Sequence, residues 1–223
     1  MMRVQTPQSA EELLMRARAL AGLSLADIAE QFELSVPRNL RREKGWQGQL
    51  IERALGASSG SLAQADFPDI GVELKTLPID QHGLPTESTW VCIANLMPTH
   101  AERWQDSLVY EKLKRVLWLP VQDDDNIPLA ERRIGSALLW QPDAQQMQRL
   151  EQDFLELTER IALGEVESIS AHHGQALQLR PKAANRKVLT DARGPDGTII
   201  KTLPRGFYLR RSFTISVIQQ HLL

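Results

Sequence analysis

The sequence predicts a mixed α/β or α+β fold, and three observations carry that reading. Apolar residues recur at helical spacing over about the first sixty positions. Alternating and β-branched runs follow between Gly71 and Val121. A long amphipathic segment, Pro142 to Gly164, then separates these from further short strand-like runs. Helices, then strands, one long helix and more strands suit helices packed on a sheet. A chain of 223 residues buries roughly 70% of its unfolded surface, enough for one sizeable core.

The first helix lies in "SAEELLMRARALAGL", where Leu13, Leu14, Ala17, Leu20 and Ala21 share a face. Ser9 is its expected N-cap, with Glu12 three residues on, the spacing of a capping box. A second helix runs from Ser24 through "LADIAEQF", and "RNLRREKGW" is a basic connector. "WQGQLIERALG" is a third helix closed by Gly56, and "ASSGS" a polar turn. In "GVELKTL", Val72, Leu74 and Thr76 face one way and Glu73 and Lys75 the other, as a period of two requires. "STWVCIAN" and "RVLWLPV" are β-branched and aromatic runs bounded by turn residues. "PDAQQMQRLEQDFLELTERIALG" is a long helix ending at Gly164. "QALQLR", "GTIIKTL" and "GFYLRR" are short strands, and "SFTISVIQQHLL" closes the chain as a helix or a strand. No internal repeat or low-complexity tract interrupts this order.

Composition narrows the class. Hydrophobic residues make up 42% and charged residues 24%, as in an ordinary globular protein. The single cysteine, Cys92, cannot form an internal disulfide, leaves too few thiolates for a structural zinc site, and fits a reducing compartment. The N-terminal apolar stretch is broken by Arg16, Arg18 and Asp27, so it reads as an amphipathic helix and not an export signal. No run approaches the ~18 apolar residues of a membrane span, and the expected location is the cytoplasm. A net charge of −2 speaks against a nucleic-acid partner, but the total hides a segregation. Between Arg180 and Arg211 stand Arg180, Lys182, Arg186, Lys187, Arg193, Lys201, Arg205, Arg210 and Arg211 against Asp191 and Asp196 alone. Between Asp143 and Glu167, seven acids face Arg149 and Arg160. One basic face that meets a polyanion is the expectation.

The stretch "QADFPDIGVELKTLP" carries the chemistry. On a strand, Glu73 and Lys75 project from the same face while Val72 and Leu74 point to a core. A divalent cation that hydrolyses phosphodiesters takes hard oxygen ligands, and Mg²⁺ takes one or two carboxylates together with water and phosphate oxygens. Glu73 supplies a carboxylate and the Leu74 carbonyl another oxygen; a second carboxylate must come from nearby. Lys75 stands where it orients or deprotonates water and balances transition-state charge. The competing reading is a solvated strand face with a weak ion pair. Spacing alone leaves Asp66 and Asp69 as alternatives for the second carboxylate.

Several blocks together resemble a known family. "KGWQGQLIERALGASSGS", "DFPDIGVELKTLP", "YEKLKRVLWLPV", "LRPKAAN" and "LPRGFYLRRSF" occur in the order and near-uniform spacing of MutH, the strand-nicking endonucleases of methyl-directed mismatch repair. The resemblance runs from about Glu11 to the C-terminus. It implies a restriction-endonuclease-like mixed β-sheet flanked by helices, with two lobes around a DNA-binding cleft. The lobes would be built within a single domain, 1–223, from a helical part (about 1–60), catalytic strands (about 66–121), and a long helix with a basic DNA-reading part (about 143–223). It implies Asp66, seven positions before Glu73, as the metal-binding aspartate, with Glu52 a further acid and Lys112, not Lys114, the second active-site lysine. For DNA it implies Lys44 and Gly45 at phosphate, Arg180 and Lys182 at the target duplex, and Tyr208 abutting adenine and sensing its methylation. Where this chain has Trp90 the family commonly has Phe at the base step, and where it has Leu108 and Glu111 the family has histidines. Also implied are Mg²⁺ as cofactor, double-stranded DNA with GATC sites as substrate, MutL as activator, MutS acting upstream, and a monomer.

Two rival readings stand beside it. "LSLADIAEQFELSVPRNLRR" has the look of a helix-turn-helix regulator, with the turn "ELS" before a basic segment. Pro37 and Gly45 bound that would-be recognition helix closely, and the basic C-terminal stretch is left without a role. A catalytically dead DNA-binding relative is the other, and the intact Asp66, Glu73 and Lys75 speak against it. For Tyr208, a core strand aromatic is the alternative to a base contact, and for Glu52 an exposed glutamate paired with Arg53 or Lys44.

Overall fold

The computed structural model describes residues 4–37, 45–58, 64–100, 102–170, 172–183 and 185–222. The chain divides into two compact units, one of residues 1–86, 114–141 and 218–223, the other of 87–113 and 142–217.

The first unit packs helices α1 (Ala10–Ala19), α2 (Leu25–Gln31) and α3 (Trp46–Leu55) with strands β1 (Glu73–Ile79), β3 (Val116–Gln122) and β4 (Leu138–Trp140). The second contains β2 (Thr89–Ile93), α4 (Leu108–Leu113), α5 (Ala144–Ala162), β5 (Leu177–Pro181), β6 (Thr190–Arg193), β7 (Ile199–Thr202) and β8 (Arg205–Leu209), with α6 (Arg211–Leu222) starting there. The α+β expectation holds. The closing segment is a helix, and α4, β4 and β6 are elements that periodicity did not announce.

Local signals set the helix ends. Ser9 caps α1 by accepting from the Glu12 amide at 3.1 Å, while the Glu12 carboxylate accepts from Gln8 N–H at 2.8 Å, one residue earlier than a full capping box requires. The full box occurs at α2, between Ser24 and Asp27, and again at α5, between Asp143 and Gln146. Gly56 closes α3 in the left-handed region at φ 78°. The amides of Gly56 and Ala57 donate back to the Arg53 and Glu52 carbonyls, a Schellman closure. A side chain at Gly56 would also meet the Gln5 carbonyl oxygen at 2.5 Å.

In the first unit, β3 lies centrally, parallel to β1 and antiparallel to β4. Its residues Val116 to Val121 are all buried, so both faces are covered. Leu13, Ala17, Ile28, Ile51 and Leu55 from the helices meet Phe67, Val72, Leu74, Leu117 and Leu119 in one core. Each Leu, Ile, Val or Phe side chain among them contributes about 1.5–3 kcal/mol when fully buried.

In the second unit, β8 is flanked by β2 and β5, all antiparallel, and β6 pairs with β7 as a separate ribbon. Trp104, Phe154 and Phe207 pack as tilted rings through the core, with centroids 5.3 Å apart for the first pair and 5.7 Å for the second.

Candidate active site

A tight reversal of the chain builds the head of β1. Phe67 and Val72 exchange both backbone hydrogen bonds, at 2.9 and 3.2 Å, around a 3₁₀ turn at Pro68–Ile70. Gly71 closes that turn in the left-handed conformation, φ 61°, which glycine adopts at little cost. The reversal folds Asp66 back over the strand, and its Oδ2 accepts from the Leu74 amide at 2.9 Å. Asp69 sits on the turn itself and is exposed. Backbone pairing therefore separates two aspartates that composition could not.

Glu73 opens β1, its amide donating to the Arg115 carbonyl at 3.0 Å. Its side chain is only 2% exposed and accepts from Lys75 Nζ at 2.6 Å, with the lysine side chain 11% exposed. The pair is a buried one and not the solvated strand face of the competing reading. A buried charge needs such a partner, because uncompensated desolvation costs several kcal/mol, on the order of 3–5 when a partner is removed. The Asp66 carbonyl accepts from Ser58 N–H at 3.2 Å, which joins this turn to the residues just beyond α3. Glu52, one turn from the end of α3, is half-buried. The Arg53 guanidinium lies 5.2 Å over the Phe32 ring. Among the described residues, no three His, Cys, Asp or Glu side chains converge on one point. The structure thus joins Asp66, Glu73 and Lys75 through residues 73–75, with Glu52 on the neighbouring helix.

Lys112 belongs to the second unit, half-buried on α4, and Lys114 to the first, its Cε against Gly71. Gly45 precedes α3 in the left-handed conformation at φ 90°. Lys44 lies outside the described residues, as does the 38–43 part of the would-be recognition segment.

The second unit gathers the remaining predicted residues on one sheet face. Tyr208 on β8 pairs with Trp90 on one side and Gln178 on the other, and Arg180 pairs with Gly206. Phe207 points to the core at 4% exposure, so its neighbour Tyr208 faces outward and is half-buried. The Trp90 and Tyr208 rings meet edge to face, with centroids 5.1 Å apart. Lys182 Nζ stands 4.6 Å from the Trp90 ring centre, and the Arg180 guanidinium 5.5 Å from that of Tyr208. These are cation–π distances. Burial pushes the Tyr208 phenol above its ordinary pKa, with Arg180 opposing and Glu87 adding to the rise, so the group stays a hydrogen-bond donor at neutral pH.

Comparison with known proteins decides the family. A family profile described as "DNA mismatch repair enzyme MutH" matches residues 55–153. The protein named "DNA mismatch repair protein MutH" from Shewanella baltica is 54% identical over 220 residues, covering 99% of both chains. Those of the same name from Shewanella amazonensis and Shewanella oneidensis are 55% and 53% identical over 214 residues, 96% of each chain.

The chain belongs to the MutH family.

Its function is accordingly that of a MutH-type DNA mismatch repair endonuclease, and it binds DNA. Nothing in these similarities supports a helix-turn-helix regulator. In the structure, α2 is a core helix of the first unit, with Leu25, Ile28 and Ala29 buried. No helix among the described residues is long and apolar enough to cross a membrane.

Against this MutH background, sequence reasoning passed over two residues on the Tyr208 face. Gln178 is 6% exposed and donates to Ser88 Oγ at 2.8 Å. Its parity with Arg180 and Lys182 in "LQLRPK" was the available signal. Gly206 is the other, and a Cβ there would meet the Trp90 ring.

Proposed function

We propose that the chain nicks the unmethylated strand at hemimethylated GATC sites, 5′ to the G, by Mg²⁺-dependent phosphodiester hydrolysis. The observation that carries this reading is the head of β1, where the Asp66 carboxylate, the Glu73 carboxylate and Lys75 meet within three strand residues. Asp66, Glu73 and the Leu74 carbonyl are hard oxygen donors, the set Mg²⁺ prefers when phosphate and water complete its shell. Glu52 adds a further acid from α3. When bound, the cation supplies Lewis-acid stabilisation of charge on the phosphate.

The chain's own groups do the rest. Lys75, held 2.6 Å from Glu73, orients the attacking water by donating a hydrogen bond to it. Its charge also offsets the charge that builds on the phosphoryl oxygens. Lys112 adds positive charge for the phosphate. Lys44 and Gly45 contact the backbone of the duplex, where a glycine allows close approach of amide groups. Arg180 and Lys182 reach the target bases, an arginine fork being suited to guanine. Trp90 packs at the base step. Tyr208 abuts the adenine, and an added methyl group changes that contact.

The resemblance further supports activation by MutL, with MutS recognising the mismatch first, and a cytoplasmic monomer that makes one cut per visit. Duplexes with a single GATC site, unmethylated, hemimethylated or fully methylated, test this with Mg²⁺ and MutL present. Nicks confined to unmethylated strands, and reduced by a factor of about 10² or more in Lys75→Ala, are expected. Binding without nicking in the wild type would leave the chain a dead relative.

A further inference from the structure

The Trp90 indole does not simply stand on its strand; it lies across the neighbouring one. Trp90 pairs with Tyr208, and Gly206 is two residues along β8 on the same face. A Cβ built on Gly206 falls 2.5 Å from Trp90 Cη2 and closer still to Cζ3, with the Cys92 carbonyl oxygen at 2.9 Å. No side chain fits there while the ring keeps its place. The pairing register shifts between Trp90 and Cys92, and such a bulge re-aims a side chain. On the far side, Arg180 pairs with Gly206, and Lys182 Nζ sits 4.6 Å from the ring that Gly206 seats.

We propose that Gly206 is a specificity-positioning residue, the seat of the Trp90 indole, through which Lys182 and Tyr208 are held in the arrangement that meets the GATC bases. The proposal rests on the DNA-reading role given to this face above. Gly206 acts through Trp90 and touches no base itself. It also accounts for how a chain with Trp at position 90 keeps the reading face: the two atoms that need the space, Cζ3 and Cη2, belong to the indole and are absent from a phenyl ring.

The test is a double-mutant cycle on the full chain with Gly206→Ala, Trp90→Phe and the combination. The readout is the ratio of Kd for a duplex with one unmethylated GATC to Kd for a duplex with none, with circular dichroism and thermal unfolding showing that each variant compared is folded. Gly206→Ala alone should lower that preference about tenfold, the scale of one lost base contact. Added to Trp90→Phe, it should lower it no more than about threefold. The Cys92 oxygen is close in both backgrounds and so cancels in the comparison. An equal loss in both backgrounds, or none in the wild type, overturns the role of Gly206. A wild type with no preference for GATC overturns the reading role itself. If Gly206→Ala alone fails to fold, a folded, GATC-preferring double variant supports the seat. An unfolded double variant beside a folded Trp90→Phe overturns it.

Discussion

Asp66 and Asp69 differ in what the backbone around them does. The Phe67–Val72 exchange returns Asp66 to the strand, where its carboxylate holds the Leu74 amide, and leaves Asp69 exposed on the turn. Asp66→Ala removes both an oxygen donor and the acceptor of that amide. Nicking should fall by at least about 10²-fold, with some loss of stability, since an unpaired buried amide costs about 1–3 kcal/mol. Asp69→Ala should keep nicking within about threefold, as surface changes away from such features rarely exceed ±0.5 kcal/mol. Single-turnover nicking of one GATC duplex measures both. The Glu-x-Lys parity was legible from the sequence, because strand alternation is local. The burial of Glu73 was not, since it arises only in the folded sheet, where Glu73 pairs with Val116 of β3.

At the level of elements, the buried carboxylate of Asp153 sets the start of β5. It lies on α5, is 5% exposed, and accepts from the amides of Gln175, Ala176 and Leu177 at 2.6–3.0 Å. Asp153→Ala strands those donors and should lower the unfolding free energy by about 3 kcal/mol, with Asp153→Asn costing less because one oxygen remains. Urea unfolding followed by circular dichroism checks the order. As β5 carries Arg180, the same variant should also weaken GATC binding. Nothing in the spacing of "EQDFLELTER" distinguishes Asp153 from its solvated neighbours except its place on the apolar face. Helix ends, by contrast, were readable at Ser9, Ser24 and Gly56, because a cap bonds within its own turn. The strands "LLW" and "TDAR" were not, being too short to show a period and defined only by their partners.

For the whole molecule, net charge misleads and its distribution informs. The total is −2, yet Arg180, Lys182, Arg186 and Lys187 are all exposed along one stretch. Affinity for a duplex without GATC should therefore fall at least about tenfold between roughly 50 and 200 mM salt, as counterion release requires when several phosphates are neutralised. Lys187→Ala, which takes one exposed charge from that stretch, should flatten the log–log slope by about one unit. Fluorescence anisotropy across a salt series reads both, and affinity independent of salt would contradict the basic-face reading.

By itself, the sequence determined the helical starts, the alternation at Glu73 and Lys75, the segregated charge, and the motif order that places the chain in its family. All of these are encoded in short windows or in residue order. Only the tertiary structure decided that Glu73 is buried against Lys75, that Asp66 returns to Leu74, and that Gly206 makes room for Trp90. The Trp90–Gly206 contact joins segments far apart in the chain, and the other two need the reversal at Phe67–Val72 and the pairing of β1 with β3; desolvation and steric exclusion act between neighbours in space.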